Sequence, residues 1–227
     1  MYPIIKTEHH GKLAAFIIKH LANTLEPMIY TKQKKQHLFI MQILHLFLII
    51  FVILSPEARA ESRDILRDAI NEVDANVVFM RHALAPGFGD PNNFSSLDCT
   101  TQRNLDEEGR RQARLIGKAI QESSIQFADV LSSEWCRCKE TAELLGLKQW
   151  STFSGLNSFF QDYADKDDTL RKLKLKLNEI DNDVILMVTH QVVISAATGV
   201  SVVSGGLVAY NSFSYLKKVF RLDQTQP

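Results

Sequence analysis

From Ala75 to Tyr210 short apolar runs alternate with stretches in which apolar residues recur every three or four positions. The runs are Val77–Met80, Ala128–Leu131 and Val184–Val188, with Leu207–Tyr210 and Phe213–Phe220 closing the chain. Unbroken runs such as Val77–Met80 and Val184–Val188 predict strands covered on both faces, as in a parallel sheet, where side chains need not alternate, whereas Phe213–Phe220 alternates imperfectly. Between them, Ala113, Ile116 and Ile120 give one face of a helix over 105–120, and Leu170, Leu173, Leu177 and Ile180 give another. Shorter helices are expected over 61–71, 139–145 and 192–197. Strands alternating with helices predict an α/β domain built on a mostly parallel sheet.

Local chemistry adds detail to the long helix. Asn104 is its candidate N-cap, and Asp106, Glu107 and Glu108 suit the positive end of the helix dipole. Arg110, Arg111 and Arg114 fall on the outer face as partners for those acids. Gly109 costs about 1 kcal/mol in a helix interior relative to alanine, which points to close packing there. Gly146 is expected to stop the 139–145 helix.

The strand ends carry the polar residues of interest. In open α/β sheets ligands bind beyond the carboxyl ends of the strands. The first run ends in Arg81-His82-Ala83, the second in Ser132-Ser133 followed by Arg137, and the third in Thr189-His190-Gln191. Arg137 also lies near an expected helix N-terminus, where free N–H groups favour an anion. If the three strands are neighbours, two histidines and two arginines converge. A neutral imidazole attacks phosphorus and guanidinium groups hold the equatorial oxygens, so the set suits phosphoryl transfer. A long loop over 84–101, rich in Pro, Gly, Asp and Asn, and an irregular aromatic segment around Phe159-Phe160 are expected to line the entrance.

The N-terminal part reads differently. Lys32, Lys34 and Lys35 precede an apolar run from Leu38 to Leu54, and Ala58-Arg59-Ala60 follows. A basic region, an apolar core and a small-x-small site make a secretory signal peptide over 28–60, with cleavage expected after Ala60 and a periplasmic or secreted product. Left uncleaved, the run is near the lower length limit for a membrane anchor. Residues 1–27 precede the basic region and are expected to contribute nothing to the fold, leaving 61–227 as one domain. Positive and negative side chains balance at 26 each, so no basic field argues for nucleic acid. Of the three cysteines, Cys99 is expected to pair with Cys136 or Cys138 in an oxidising compartment. The Cys136-x-Cys138 spacing is too short for a zinc pair, and no metal cluster is expected.

These motifs resemble the histidine phosphatase superfamily, the group containing phosphoglycerate mutases and histidine acid phosphatases. The likeness rests on Arg81-His82-Ala83, then Asn104-Leu105 with Gly109, Gln112 and Ala113. It continues in Ser132-Ser133 with Arg137, Glu140, Thr141 and Ala142, and ends in Thr189-His190. The resemblance implies a three-layer α/β/α sandwich. It makes His82 the nucleophile that becomes a phosphohistidine, Arg81 and Arg137 the phosphate-binding groups, and His190 a transition-state stabiliser, with no metal or other cofactor. The implied activity is a phosphomonoesterase acting on a phosphorylated small molecule or envelope component. The alternative is a non-catalytic phospho-ligand binding or envelope-interaction protein on the same fold. Two positions depart from the pattern. Ala83 stands where the family has glycine, and Gln191 stands where one branch has its acidic proton donor. The other branch places that acid in the variable region, where Asp162 is the nearest carboxylate; Asp90 and Asp98 in the first loop are the alternatives.

Overall fold

The computed structural model describes residues 57–147, 149–181 and 183–223. The expected upstream extension, and the expected signal segment as far as Pro56, lie outside the described residues. Within the described part, the chain runs α1 (Glu57–Val73), β1 (Val77–Arg81), α2 (Glu107–Glu122), β2 (Val130–Ser132), α3 (Cys136–Leu144) and β3 (Ser151–Thr152). It continues with α4 (Lys166–Glu179), β4 (Ile185–Thr189), α5 (Gln191–Thr198), β5 (Leu207–Tyr210) and β6 (Lys217–Phe220). The six strands form one sheet in the order β3-β2-β4-β1-β5-β6. The first four strands in that order are parallel, while β5 runs antiparallel to β1 and β6 antiparallel to β5.

Strands β1 and β4 are apolar up to their last residues because both faces are covered. Val78 and Met80 of β1 join Leu186 and Val188 of β4 in a core completed by Leu66 and Ile70 of α1, Ile116 and Ile120 of α2 and Ala142 of α3. Val77 and Phe79 point the other way, joining Ile185 and Met187 beneath Leu173 of α4 and Val193 and Ile194 of α5. The result is an α/β/α sandwich, as the resemblance implies and in keeping with the alternating pattern. Fully burying one such aliphatic side chain contributes about 1.5–3 kcal/mol, so β1 and β4 form a rigid platform for whatever their ends carry.

Three local expectations are corrected. Asp106, not Asn104, caps α2: its carboxylate accepts from Gly109 N at 2.8 Å, while Asn104 donates to the Cys99 and Gln102 carbonyls. The 139–145 helix begins earlier, at Cys136. The last run is a strand only from Lys217, because the Asn211 side chain accepts from Phe213 N and Ser214 N and Tyr215 takes a positive φ, turning the chain.

The close packing that Gly109 suggests is real. A Cβ there would stand 1.9 Å from the carbonyl oxygen of Leu84, and Gln112 of the same helix accepts from Leu84 N at 2.8 Å. Helix α2 therefore fixes the chain two residues beyond His82.

Candidate active site

Strands β2, β4 and β1 are neighbours, and they stop in register. Arg81 pairs with Thr189, and Ser132 with Val188. The next residue of each strand leaves the sheet still tied to its neighbour, with His82 N donating to Thr189 O and Ser133 N to Val188 O. His82, His190 and Ser133 thus emerge side by side. Arg137 enters from the first turn of α3, which is held to the strand β1 exit by Thr141: its hydroxyl accepts from Ala83 N at 3.1 Å and donates to Arg137 O at 2.6 Å.

The hydrogen bonds determine the histidine tautomers. His82 Nδ1 lies 2.7 Å from Ala83 O, which only accepts, so Nδ1 carries the proton. Nε2 keeps its lone pair, and Arg137 Nε donates to it at 3.2 Å. Arg137 Nη2 reaches His190 Nδ1 at 3.4 Å, which leaves His190 Nε2–H to donate to Ser133 Oγ at 2.9 Å. Ser133 in turn donates to Asn157 Oδ1, and Asn157 Nδ2 to Glu134. His82, Arg137 and His190 are 2 %, 3 % and 3 % exposed.

Burial, followed by the Arg137 cation, pushes both histidines well below the usual imidazole value, so both are neutral near pH 7. Arg103 and Arg81 add smaller contributions of the same sign. Burial and the nearby Arg137 likewise lower Arg81 and Arg103 from the ordinary arginine value. Against these three guanidinium groups stands one ion-paired carboxylate, Asp90. Three positive charges less one leave two in excess, a field suited to a doubly charged anion. Arg81 Nη1 donates to Val202 O, but its Nε is buried without a partner, as is Gln191 Nε2 one residue after His190. A buried donor left unpaired costs about 1–3 kcal/mol. Such groups are retained where a ligand supplies the acceptor.

The carboxylates sort clearly. Asp162, the first expectation for a proton donor, is exposed at a residue with φ 59°, and no contact joins it to the cluster. Asp98 caps a short 3-10 turn, where the Thr100 hydroxyl and N–H hold its carboxyl below the usual value. Asp90 is the one that enters. Its side chain is 4 % exposed and it accepts from Arg137 Nη1 at 2.8 Å and Nη2 at 3.1 Å. Arg103, absent from the sequence reading, holds the same loop through its Nε to Gly89 O. Asp90 stands among the alternative acids of the sequence, whereas nothing there singles out Arg103, which lies in a loop without periodicity.

That loop is closed over the site by packing. Phe94 stacks between Trp135 and Tyr163, with ring centroids 4.9 and 4.5 Å away, and Trp135 meets His190 edge-on at 5.5 Å. Tyr163 donates to Pro91 O, and Gln161 Oε1 accepts from Asp90 N at 2.7 Å. A disulfide joins Cys99 of the loop to Cys136 of α3, leaving Cys138 as a buried free thiol 3.4 Å from His190 Nε2. Phe88 is 89 % exposed at the rim, edge-on to Phe160. Among the described residues no three or more His, Cys, Asp or Glu side chains cluster as metal ligands would.

Residues 77–159, from β1 to the aromatic segment, match the family model of the histidine phosphatase superfamily, branch 1. Over this stretch the chain is similar to the histidine phosphatase superfamily. The superfamily match ends before β4, so His190 lies beyond it. No curated protein matches the chain. Among solved structures, the chain is similar to the protein histidine phosphatase SixA complexed with tungstate. It is 18 % identical, covering 63 % of this chain and 93 % of that one, at a TM-score of 0.44. The alpha-ribazole phosphatase from Shigella flexneri is 16 % identical, covering 65 % and 96 %, at 0.46. A phosphoserine phosphatase from Entamoeba histolytica, in complex with 3-phosphoglyceric acid, is 14 % identical, covering 66 % and 97 %, at 0.45.

Proposed function

We propose that this protein is a histidine phosphatase, an exported phosphomonoesterase that works without a metal, through a phosphohistidine on His82. The observation that carries the reading is the unprotonated Nε2 of His82 facing the same guanidinium edge of Arg137 as His190. A phosphate monoester entering the site exchanges the Arg137–His82 contact for bonds to its own oxygens. Arg137 Nε–H and Nη2–H grip two of them, and Arg81 Nε–H supplies a further donor. His190, neutral in the free site, takes a proton from solvent as the anion arrives and donates it from Nδ1. His82 Nε2 attacks phosphorus in line, a P–N bond forms, and the P–O bond to the leaving group breaks with its electron pair on oxygen. Water then attacks the phosphohistidine, and the P–N pair returns to Nε2.

Among the described residues Asp90 is the one carboxylate hydrogen-bonded to Arg137, His82 or His190, and its two oxygens already accept from four donors. The leaving oxygen takes its proton from water, and turnover should therefore depend steeply on leaving-group acidity. The substrate class is a phosphorylated small molecule or envelope component. Export is supported by the basic, apolar and Ala-x-Ala pattern over 28–60, and the Cys99–Cys136 disulfide fits an oxidising compartment.

The test is phosphate release from aryl phosphates by the purified protein and its His82→Ala variant. Loss of turnover in the variant, with a phosphorylated His82 trapped by rapid quench in the parent, is the expected result. Vanadate binding with no turnover at any pH would instead establish the phospho-ligand binding protein, a reading favoured by the lack of a proton donor.

A further inference from the structure

We propose that Asp90 is a positioning residue that sets the orientation of Arg137, an inference that rests on the phosphatase reading of the site. A guanidinium group offers two bidentate faces. The side edge of Arg137, made by Nε and Nη2, faces His82 Nε2 at 3.2 Å and His190 Nδ1 at 3.4 Å. The end fork, made by Nη1 and Nη2, is taken by Asp90 at 2.8 and 3.1 Å. Asp90 therefore leaves the edge that meets the histidines free for phosphate, and fixes the plane in which that edge lies.

The carboxylate is itself held rigidly. Oδ1 also accepts from Arg103 N at 3.0 Å and Oδ2 from Trp135 Nε1 at 3.2 Å. Four donors thus meet two oxygens, filling the acceptor capacity of an ionised carboxylate. No site remains for the proton that a general acid would need to carry. The Asp90 backbone is fastened by Gln161, and its loop by the Phe94 stack and the Cys99–Cys136 bond. The long Pro/Gly/Asp loop after the first strand delivers a carboxylate to the arginine, and through it acts on the reacting phosphate.

The test is a double-mutant cycle with Asp90→Asn and Arg137→Ala, read in kcat on aryl phosphates of graded leaving-group acidity. A misplaced binding group costs about 100-fold, so Asp90→Asn should lower kcat by about that factor for every leaving group alike. In the Arg137→Ala background the same change should cost less than about twofold, because coupled residues are non-additive. Asp90→Glu keeps the charge but moves the fork by a methylene, and should also lower kcat; it serves if the asparagine variant does not fold. Equal losses in both backgrounds, a loss that grows with leaving-group basicity, or unchanged kcat in Asp90→Glu each overturn the proposal, the second by making Asp90 a proton donor. Vanadate binding by calorimetry across the same four proteins separates the two readings. Coupling in binding without turnover in the parent sinks the enzyme and keeps the positioning role. Turnover without coupling does the reverse.

Discussion

Arg137 Nε–H points at His82 Nε2 across 3.2 Å, and both side chains are sealed from solvent. In the proposed mechanism the free site thus caps its own nucleophile with the donor that a phosphate oxygen would use. Substrate entry would trade that bond for stronger, charge-assisted ones, so the donor is aimed before the ligand arrives. Preorganised donors of this kind account for a large share of catalysis in water-excluded sites.

Replacing Arg137 by lysine keeps the charge but removes the planar fork that serves Asp90 and the phosphate at once. We expect kcat for an aryl phosphate to fall by about 10²–10³-fold. Steady-state kinetics beside the parent protein measure it, and a loss below threefold would show that the charge alone suffices.

The two neutral histidines make stability depend on pH. Their folded values lie well below the unfolded value near 6.5. Between the folded and unfolded values the unfolded chain binds more protons, so their contribution is full above about pH 6.5 and is lost as pH falls below it. The slope should reach about 1.4 kcal/mol per pH unit for each histidine. Urea unfolding from pH 8 to pH 5 measures it, and His190→Gln should remove one of the two contributions.

The disulfide closes a segment with a sequence separation of 37. Cys99→Ser should lower stability by about 3–4 kcal/mol on the chain-entropy account, and release the loop that brings Asp90 to Arg137. Cys138 should stay silent, since burial raises its thiol to about 12. Titration with a thiol reagent should find no reactive group among the three cysteines in the native parent and one after unfolding without reductant.

Gly109→Ala places a methyl 1.9 Å from a backbone oxygen that has no flexible side chain to yield. Overpacking of this kind costs about 1–3 kcal/mol or more. Because the oxygen belongs to Leu84, two residues from His82, turnover should fall along with the melting temperature; a variant with parental values of both would show that α2 does not fix the loop.

How far the sequence alone reaches is clear from particular residues. Val77–Met80 and Val184–Val188 point to buried parallel strands because an unbroken apolar run of strand length suits a sheet covered on both faces. Arg81-His82, Arg137 and His190 at strand ends follow from that assignment, since polar groups collect where the covered sheet stops. The cap of α2 was misplaced by two residues because Asn104 and Asp106 are both good caps, and only the path of the loop decides between them. Asp162 is the expected acid because the resemblance places that group in the variable region after the Arg137 helix, where Asp162 is the nearest carboxylate. The structure turns it outward and brings in Asp90, 47 residues before Arg137.

The difference is one of range. Periodicity, turn chemistry and strand-end polarity are local, so the chain itself determined the α/β layers, the register of polar ends and the four basic groups of the site. The choice of Cys136 over Cys138 as the partner of Cys99, the tautomers of both histidines, and the seating of Asp90 on the end fork of Arg137 are contacts between distant segments. Tertiary structure alone decided these, because each depends on where a loop without periodicity comes to rest.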